Sequence, residues 1–178
     1  MNETDFNDQK HRTDVAKGIV APQPTSLQAG TRLYRFGDTF EKAKSGTWWI
    51  SAKQFAIIDG YASEKGIPST HAARLLASVL HSYSTMRVMV SVRLLTDLRA
   101  WTGLSRPQQR TYEGHVLETI DTTQTFAGSK FHQLYVPGLE LNSQSFRWLS
   151  DKVQITMYME GDSHIFGTSG VPAGTIMH

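Results

Sequence analysis

The chain contains no cysteine, which excludes a disulfide scaffold, a thiolate metal site and a cysteine nucleophile together. It has no apolar run long enough for a membrane span and no apolar N-terminal core of the kind a secretory signal needs. A cytosolic protein is therefore expected, and export would need a delivery route that reads no N-terminal signal. Charge of one sign is also missing: 18 Lys+Arg stand against 16 Asp+Glu, a net charge of +2. That balance does not by itself argue for nucleic acid, whereas the phosphates of a small ligand need only one or two local cations. The Gly-rich phosphate loop ending in Lys-Ser/Thr, the Gly-x-Gly-x-x-Gly turn and the Gly-x-Ser-x-Gly elbow are absent. Asp162-Ser163-His164 sets three triad residue types in a row, but adjacent positions cannot converge on one another.

What is present is the composition of one soluble globular core: 178 residues, 39% hydrophobic and 19% charged. Residues 1–28 are polar and end in Ala21-Pro22-Gln23-Pro24-Thr25-Ser26, which predicts a flexible leader without structure. Residues 29–178 are expected to form a single domain.

Within that domain, Leu33, Tyr34 and Phe36 give 30–37 strand character at a sheet edge, and Trp48-Trp49-Ile50-Ser51 follows as a second strand. Ser51 is placed to cap a helix in which Phe55, Ile58, Tyr61 and Ala62 share a face and Gly66 is the stop. Pro68 opens a second helix with Ala72, Leu76, Val79, Leu80 and Tyr83 on one face. His71 and His81 lack the spacing and carboxylate partners of a zinc site, and no metal site is expected. Met86 to Leu94 alternates as a half-buried strand, and 97–103 reads as a further short strand closed by Gly103 and Pro107. Residues 104–130 show little periodicity and are expected to be a long loop. Phe131 to Val136 and Val153 to Met159 read as the last strands, with 167–178 as a hairpin or a frayed end. Arg87, Arg93, Arg99 and Arg106 are expected on solvated strand faces.

Two features in this layout carry chemistry. Arg35 is a fixed planar fork of donors suited to a pair of phosphate oxygens. Trp48-Trp49 beside Thr47 and Ser51 makes an apolar wall with a hydrogen-bonding rim, suited to a flat and partly polar ligand. An ordinary strand pair, with Arg35 solvated and both tryptophans in the core, is the alternative.

The Arg-bearing strand and the aromatic-Ser strand resemble the opening of mono-ADP-ribosyltransferase toxin domains. Residues 99–108, with Gly103 and Pro107-Gln108 closing a strand, and residues 127–137, with a Gly-rich turn, Gln133 and a strand, are similar to later segments of that group in the same order. The resemblance covers about residues 30–137. It implies an α+β fold of split β-sheets with two N-terminal helices and a central cleft, and NAD as substrate. Arg35 would hold the phosphates, Trp49 and Ser51 would support the nicotinamide end, and Gln108 would be a loop-positioning contact on the cofactor or target side. The product would be ADP-ribose on a macromolecular target, protein or nucleic acid, as expected of a toxin or effector with an immunity or delivery partner and no membrane attachment.

The chain departs from that group where a Glu usually heads the last of these strands. Cleaving the bond from nicotinamide to ribose builds positive charge on the sugar, which a carboxylate stabilises. Here that position is Gln133. Either Gln133 suffices as the catalytic contact, or a carboxylate from a loop (Glu140 first, then Glu113 or Glu118) fills the role, or the domain binds without turnover. A non-enzymatic phosphate- or nucleic-acid-binding module on the same scaffold is the alternative function.

Overall fold

A computed structural model describes residues 2–141 and 151–160, with the side chain of residue 160 outside the description. The segments 162–164 and 167–178 considered above lie outside the described residues. The described chain is α+β and its sheets are antiparallel. Local signals account for the two helices before the central strands. The Ser51 hydroxyl accepts from the Gln54 N–H and so caps α4 (Ala52–Lys65), and Gly66 ends the helix in the left-handed region at φ 63°. Pro68 precedes α5 (Ser69–Leu76), which buries Ala72, Ala73 and Leu76. This helix stops short of Tyr83. Ser78 turns left-handed at φ 52°, so Tyr83 leaves the helix face and is 61% exposed.

Seven strands form one sheet in the order β1-β5-β8-β3-β2-β4-β9. They are β1 (Ile19–Leu27), β2 (Arg32–Gly37), β3 (Trp48–Ser51), β4 (Val88–Leu94), β5 (Leu98–Ser105), β8 (His132–Tyr135) and β9 (Val153–Glu160). The strand carrying Arg35 is interior, between β3 and β4, and not an edge. Core clusters pack against both faces of the sheet at β4, which is therefore buried on both faces except at Arg93 rather than half-buried. One face of the sheet packs Leu33, Trp49, Val90, Val92 and Leu134 together, and the other packs Phe36, Ile50 and Met89 against α4 and α5.

The sheet is thinnest at β3. Trp48 and Trp49 pair with Tyr135 and Leu134 of β8, while Ile50 and Ser51 pair with Tyr34 and Leu33 of β2. Each neighbour thus holds only half of a four-residue strand, and beyond those pairs β2 and β8 diverge from it. Side chains replace the missing ladder bonds. Arg35 Nη1 donates to the Trp48 carbonyl at 2.7 Å, and the His132 N–H donates to Gln54 Oε1 at 2.9 Å.

Two sequence expectations differ from the structure. Residues 3–27 are not structureless: α1 (Glu3–Asn7) and α2 (Gln9–Gly18) lead into β1, which pairs along β5. The prolines that suggested a linker sit in an edge strand, where a missing N–H costs little, while Val15 and Ile19 are buried. The expected loop at 104–130 contains a hairpin, β6 (Gln108–Tyr112) and β7 (His115–Ile120), turned by Glu113 and Gly114, both at positive φ. It has no hydrophobic period because nearly every residue in it is solvent-facing or half-buried. A short helix, α3 (Phe40–Lys44), and a 3-10 turn (Gly128–Lys130) complete the described elements.

Candidate functional site

Where β2 and β8 part from β3, a cavity of about 70 Å³ opens. Arg35 and Phe36 line it from β2, Trp48 to Ile50 from β3 and Gln133 from β8. The segment between α5 and β4 closes it with Ala77, Val79, Ser84 and Met86. Arg35 and Trp49 therefore converge, with the guanidinium carbon 5.9 Å from the Trp49 ring centre.

Arg35 is half-buried. Besides the Trp48 carbonyl it donates through Nε to the Lys42 carbonyl at 3.3 Å, and no described carboxylate forms an ion pair with it. Burial lowers its pKa from the ordinary value to about 10, so it remains a cation at neutral pH with only carbonyl dipoles to offset its desolvation. The 45–47 turn fits closely around it. Gly46 stands at φ 135°, and a Cβ there would lie 2.4 Å from Nη2 of Arg35. Gly46 also accepts from the Trp49 indole N–H at 2.7 Å, and its own N–H donates to the Leu139 carbonyl at 2.9 Å. The turn after β8 and the turn before β3 thus fix the guanidinium jointly.

Gln133 is buried. Its Nε2 donates to the Ala77 carbonyl at 2.8 Å and to Ser105 Oγ at 2.7 Å. A carbonyl can only accept, so Ala77 fixes the orientation of the amide and leaves Oε1 as its free acceptor. Trp49 is 1% exposed and belongs to the core as much as to the cavity wall. Trp48 packs edge-on against Tyr135, with centroids 4.8 Å apart.

The other candidates stand outside this group. Ser51 is not among the cavity's lining residues, and its hydroxyl is used in the α4 cap. Gln108 donates from Nε2 to the Lys17 and Arg106 carbonyls and ties the hairpin to the end of α2. Glu140 pairs with His11 Nε2 at 3.2 Å and accepts from the Gly138 N–H at 2.9 Å. The other ring nitrogen of His11 meets the Tyr135 hydroxyl at 2.8 Å, and burial raises the pKa of that phenol. Glu140 thus ties α2 to the turn after β8. Glu113 sits in the hairpin turn, and Glu118 accepts from the backbone N–H groups of His81 and Ser82. Among the described residues, no carboxylate lines the cavity. Of the four arginines read as a solvated set, Arg99 instead pairs with Glu3 and stacks on Phe6 at 4.4 Å.

Sequence reasoning missed the groups that hold the cavity's outer wall. Arg74, 5% exposed on α5, donates to the Val79 and Ser84 carbonyls at 3.0 and 2.9 Å. Asp38 accepts from the Thr85 N–H, the Thr85 hydroxyl and the Ser84 hydroxyl and pairs with Lys42. The ion pair with Lys42 and these hydrogen bonds hold its carboxyl well below the usual range, against a smaller desolvation effect. Partners so far apart in sequence leave no periodic signal. Among the described residues, no helix is long and apolar enough to cross a membrane and no cluster of three metal-ligating side chains occurs. Comparisons with protein-family models, with curated proteins and with solved structures gave no match to this chain.

Proposed function

We propose that this chain is a mono-ADP-ribosyltransferase that takes NAD into the split beside β3 and transfers ADP-ribose to a macromolecular target, as a toxin or effector would. The observation that carries this is Arg35, a desolvated guanidinium with no carboxylate partner among the described residues, at the edge of a cavity lined by tryptophans. A half-buried cation that meets no carboxylate among the described residues gains from a diffusible anion, and a pyrophosphate supplies two matched oxygens. The segments that suggested the family are also neighbours in space, since β5, β8, β3 and β2 lie side by side.

In this scheme Arg35 holds a phosphate and Trp49, on the same face of the sheet, supports the nicotinamide. Gln133 Oε1 accepts from a ribose hydroxyl, orienting the sugar as the bond from C1′ to the nicotinamide nitrogen breaks and a nucleophile of the target bonds to C1′. Ser51 and Gln108 act through the backbone they hold, and Glu140 through the turn that backs Gly46. One observation favours the second reading, a non-enzymatic module binding a phosphate or nucleic-acid partner: among the described residues, no carboxylate lines the cavity to stabilise an oxocarbenium ion.

Incubation of the protein with labelled NAD and a cell lysate decides between them. Label on lysate components with the wild type and none with Arg35→Gln supports transfer, and equal label with both removes Arg35 from the mechanism. Absence of label in both, with phosphate-dependent binding that falls steeply with salt, supports the binding module.

A further inference from the structure

The outer wall of the cavity is a strap, residues 78–86, and not part of the sheet. Both its ends are non-glycine residues in the left-handed region, Ser78 at φ 52° and Met86 at φ 55°, and such sites are natural points for a change of backbone direction. Between them the strap contributes Val79 and Ser84 to the cavity. Three charged side chains from three other elements fasten it by its backbone. Arg74 holds the Val79 and Ser84 carbonyls from beneath, Asp38 holds Thr85 from the β2 side, and Glu118 holds the N–H groups of His81 and Ser82 from the β6–β7 hairpin. Glu118 makes its contacts from an exposed ribbon whereas Arg74 is buried, so the hairpin can carry its contact away without disturbing the core.

The space behind the strap is about 70 Å³, enough for a few waters, whereas pockets for drug-sized ligands occupy some 300–1,000 Å³. A ligand larger than one ring does not fit within that space, and displacement of a wall enlarges it. The remaining walls are strands packed into the two core clusters.

We propose that residues 78–86 gate the cavity and that Glu118 is the positioning residue that latches the gate from the hairpin. Release of Glu118 lets the strap pivot about Ser78 and Met86 and uncovers Gln133, which bonds the Ala77 carbonyl at the foot of the strap. Movement of the hairpin is thereby coupled to access at the site. That the entering ligand is a dinucleotide rests on the function proposed above; the gate itself does not.

The absence of cysteine gives a clean test. Val79→Cys places a single thiol on the cavity side of the strap, and its alkylation by a maleimide reports opening. Adding Glu118→Gln is expected to speed alkylation about five- to tenfold, the effect of losing one hydrogen-bonded charge from the closed state, at a rate nearly independent of low urea because a local opening exposes little surface. Equal rates with and without Glu118→Gln overturn the gate, and so does an acceleration whose urea dependence matches that of global unfolding, which reports general loosening. NAD titrated into wild type and Glu118→Gln separates the two proposals. A gated thiol with no NAD binding in either protein sinks the transferase and leaves the strap, while NAD binding with ungated alkylation does the reverse.

Discussion

The fit of Gly46 around Arg35 yields a quantitative prediction. In Gly46→Ala, the new Cβ would fall 2.4 Å from Nη2 and 2.6 Å from Cζ of Arg35, both inside van der Waals contact. Either the turn or the guanidinium must shift. At φ 135° the backbone alone costs an alanine about 1–3 kcal/mol. Displacing the guanidinium forfeits the bond to the Trp48 carbonyl, a charged hydrogen bond worth about 1.5–3 kcal/mol. The total is roughly 4 kcal/mol, a large share of a stability that is about 5–15 kcal/mol for a domain.

A double-mutant cycle read by urea denaturation separates the two contributions. If the clash is real, Gly46→Ala in an Arg35→Ala background costs only the backbone part, so the two substitutions couple by about 2 kcal/mol. Strict additivity would refute the account of the turn as a mould for Arg35. The substitution is also expected to weaken pyrophosphate binding by more than about tenfold, because the guanidinium no longer occupies its place.

Three further outcomes follow from the site. Asp38→Asn should cost about 1–2 kcal/mol in a denaturation midpoint, since an amide oxygen accepts more weakly than the carboxylate and loses Lys42. Because the folded carboxyl titrates below its ordinary range, this contribution is present above about pH 4 and is lost as the pH falls through the folded value. A stability profile between pH 7 and pH 2 should show the wild-type advantage over Asp38→Asn shrinking on the acid side. Gln133→Glu turns a donor to the Ala77 carbonyl into a carboxylate that cannot donate, and should destabilise by about 1–3 kcal/mol at pH 7. Burial raises such a carboxyl above its unfolded value, so the loss should be smallest in acid and grow as the pH rises, which thermal melts at several pH values would read. His11→Ala removes the partner that the Tyr135 hydroxyl and Glu140 share and should expose residues 1–18 to limited proteolysis at conditions where the wild type resists it.

The legible parts of the fold were those whose cause is local. Ser51, Gly66 and Pro68 marked helix ends through capping and backbone preference, and the alternation through Val88, Val90 and Val92 marked β4. The same local view misread residues 3–27, because Pro22 and Pro24 look like a linker until an edge position is known, and it missed β6 and β7, whose solvent-facing residues give no apolar period. Within the site, Arg35 and Trp49 could be paired from their strands alone. The use of Gln133 against Ala77, of Glu140 against His11 and of Arg74, Asp38 and Glu118 on the strap depends on contacts between distant segments, and no spacing along the chain encodes those. Ser51 shows the converse: its cap was readable, and the cap accounts for its hydroxyl.

Calorimetric titration of NAD into the wild type and Arg35→Gln tests the central claim most directly. The account predicts saturable one-site binding by the wild type and a loss of about 2 kcal/mol or more in the variant, some thirtyfold or greater in Kd, from removing a charge-assisted phosphate contact. Equal affinities in the two proteins, or no binding to the wild type, would contradict it.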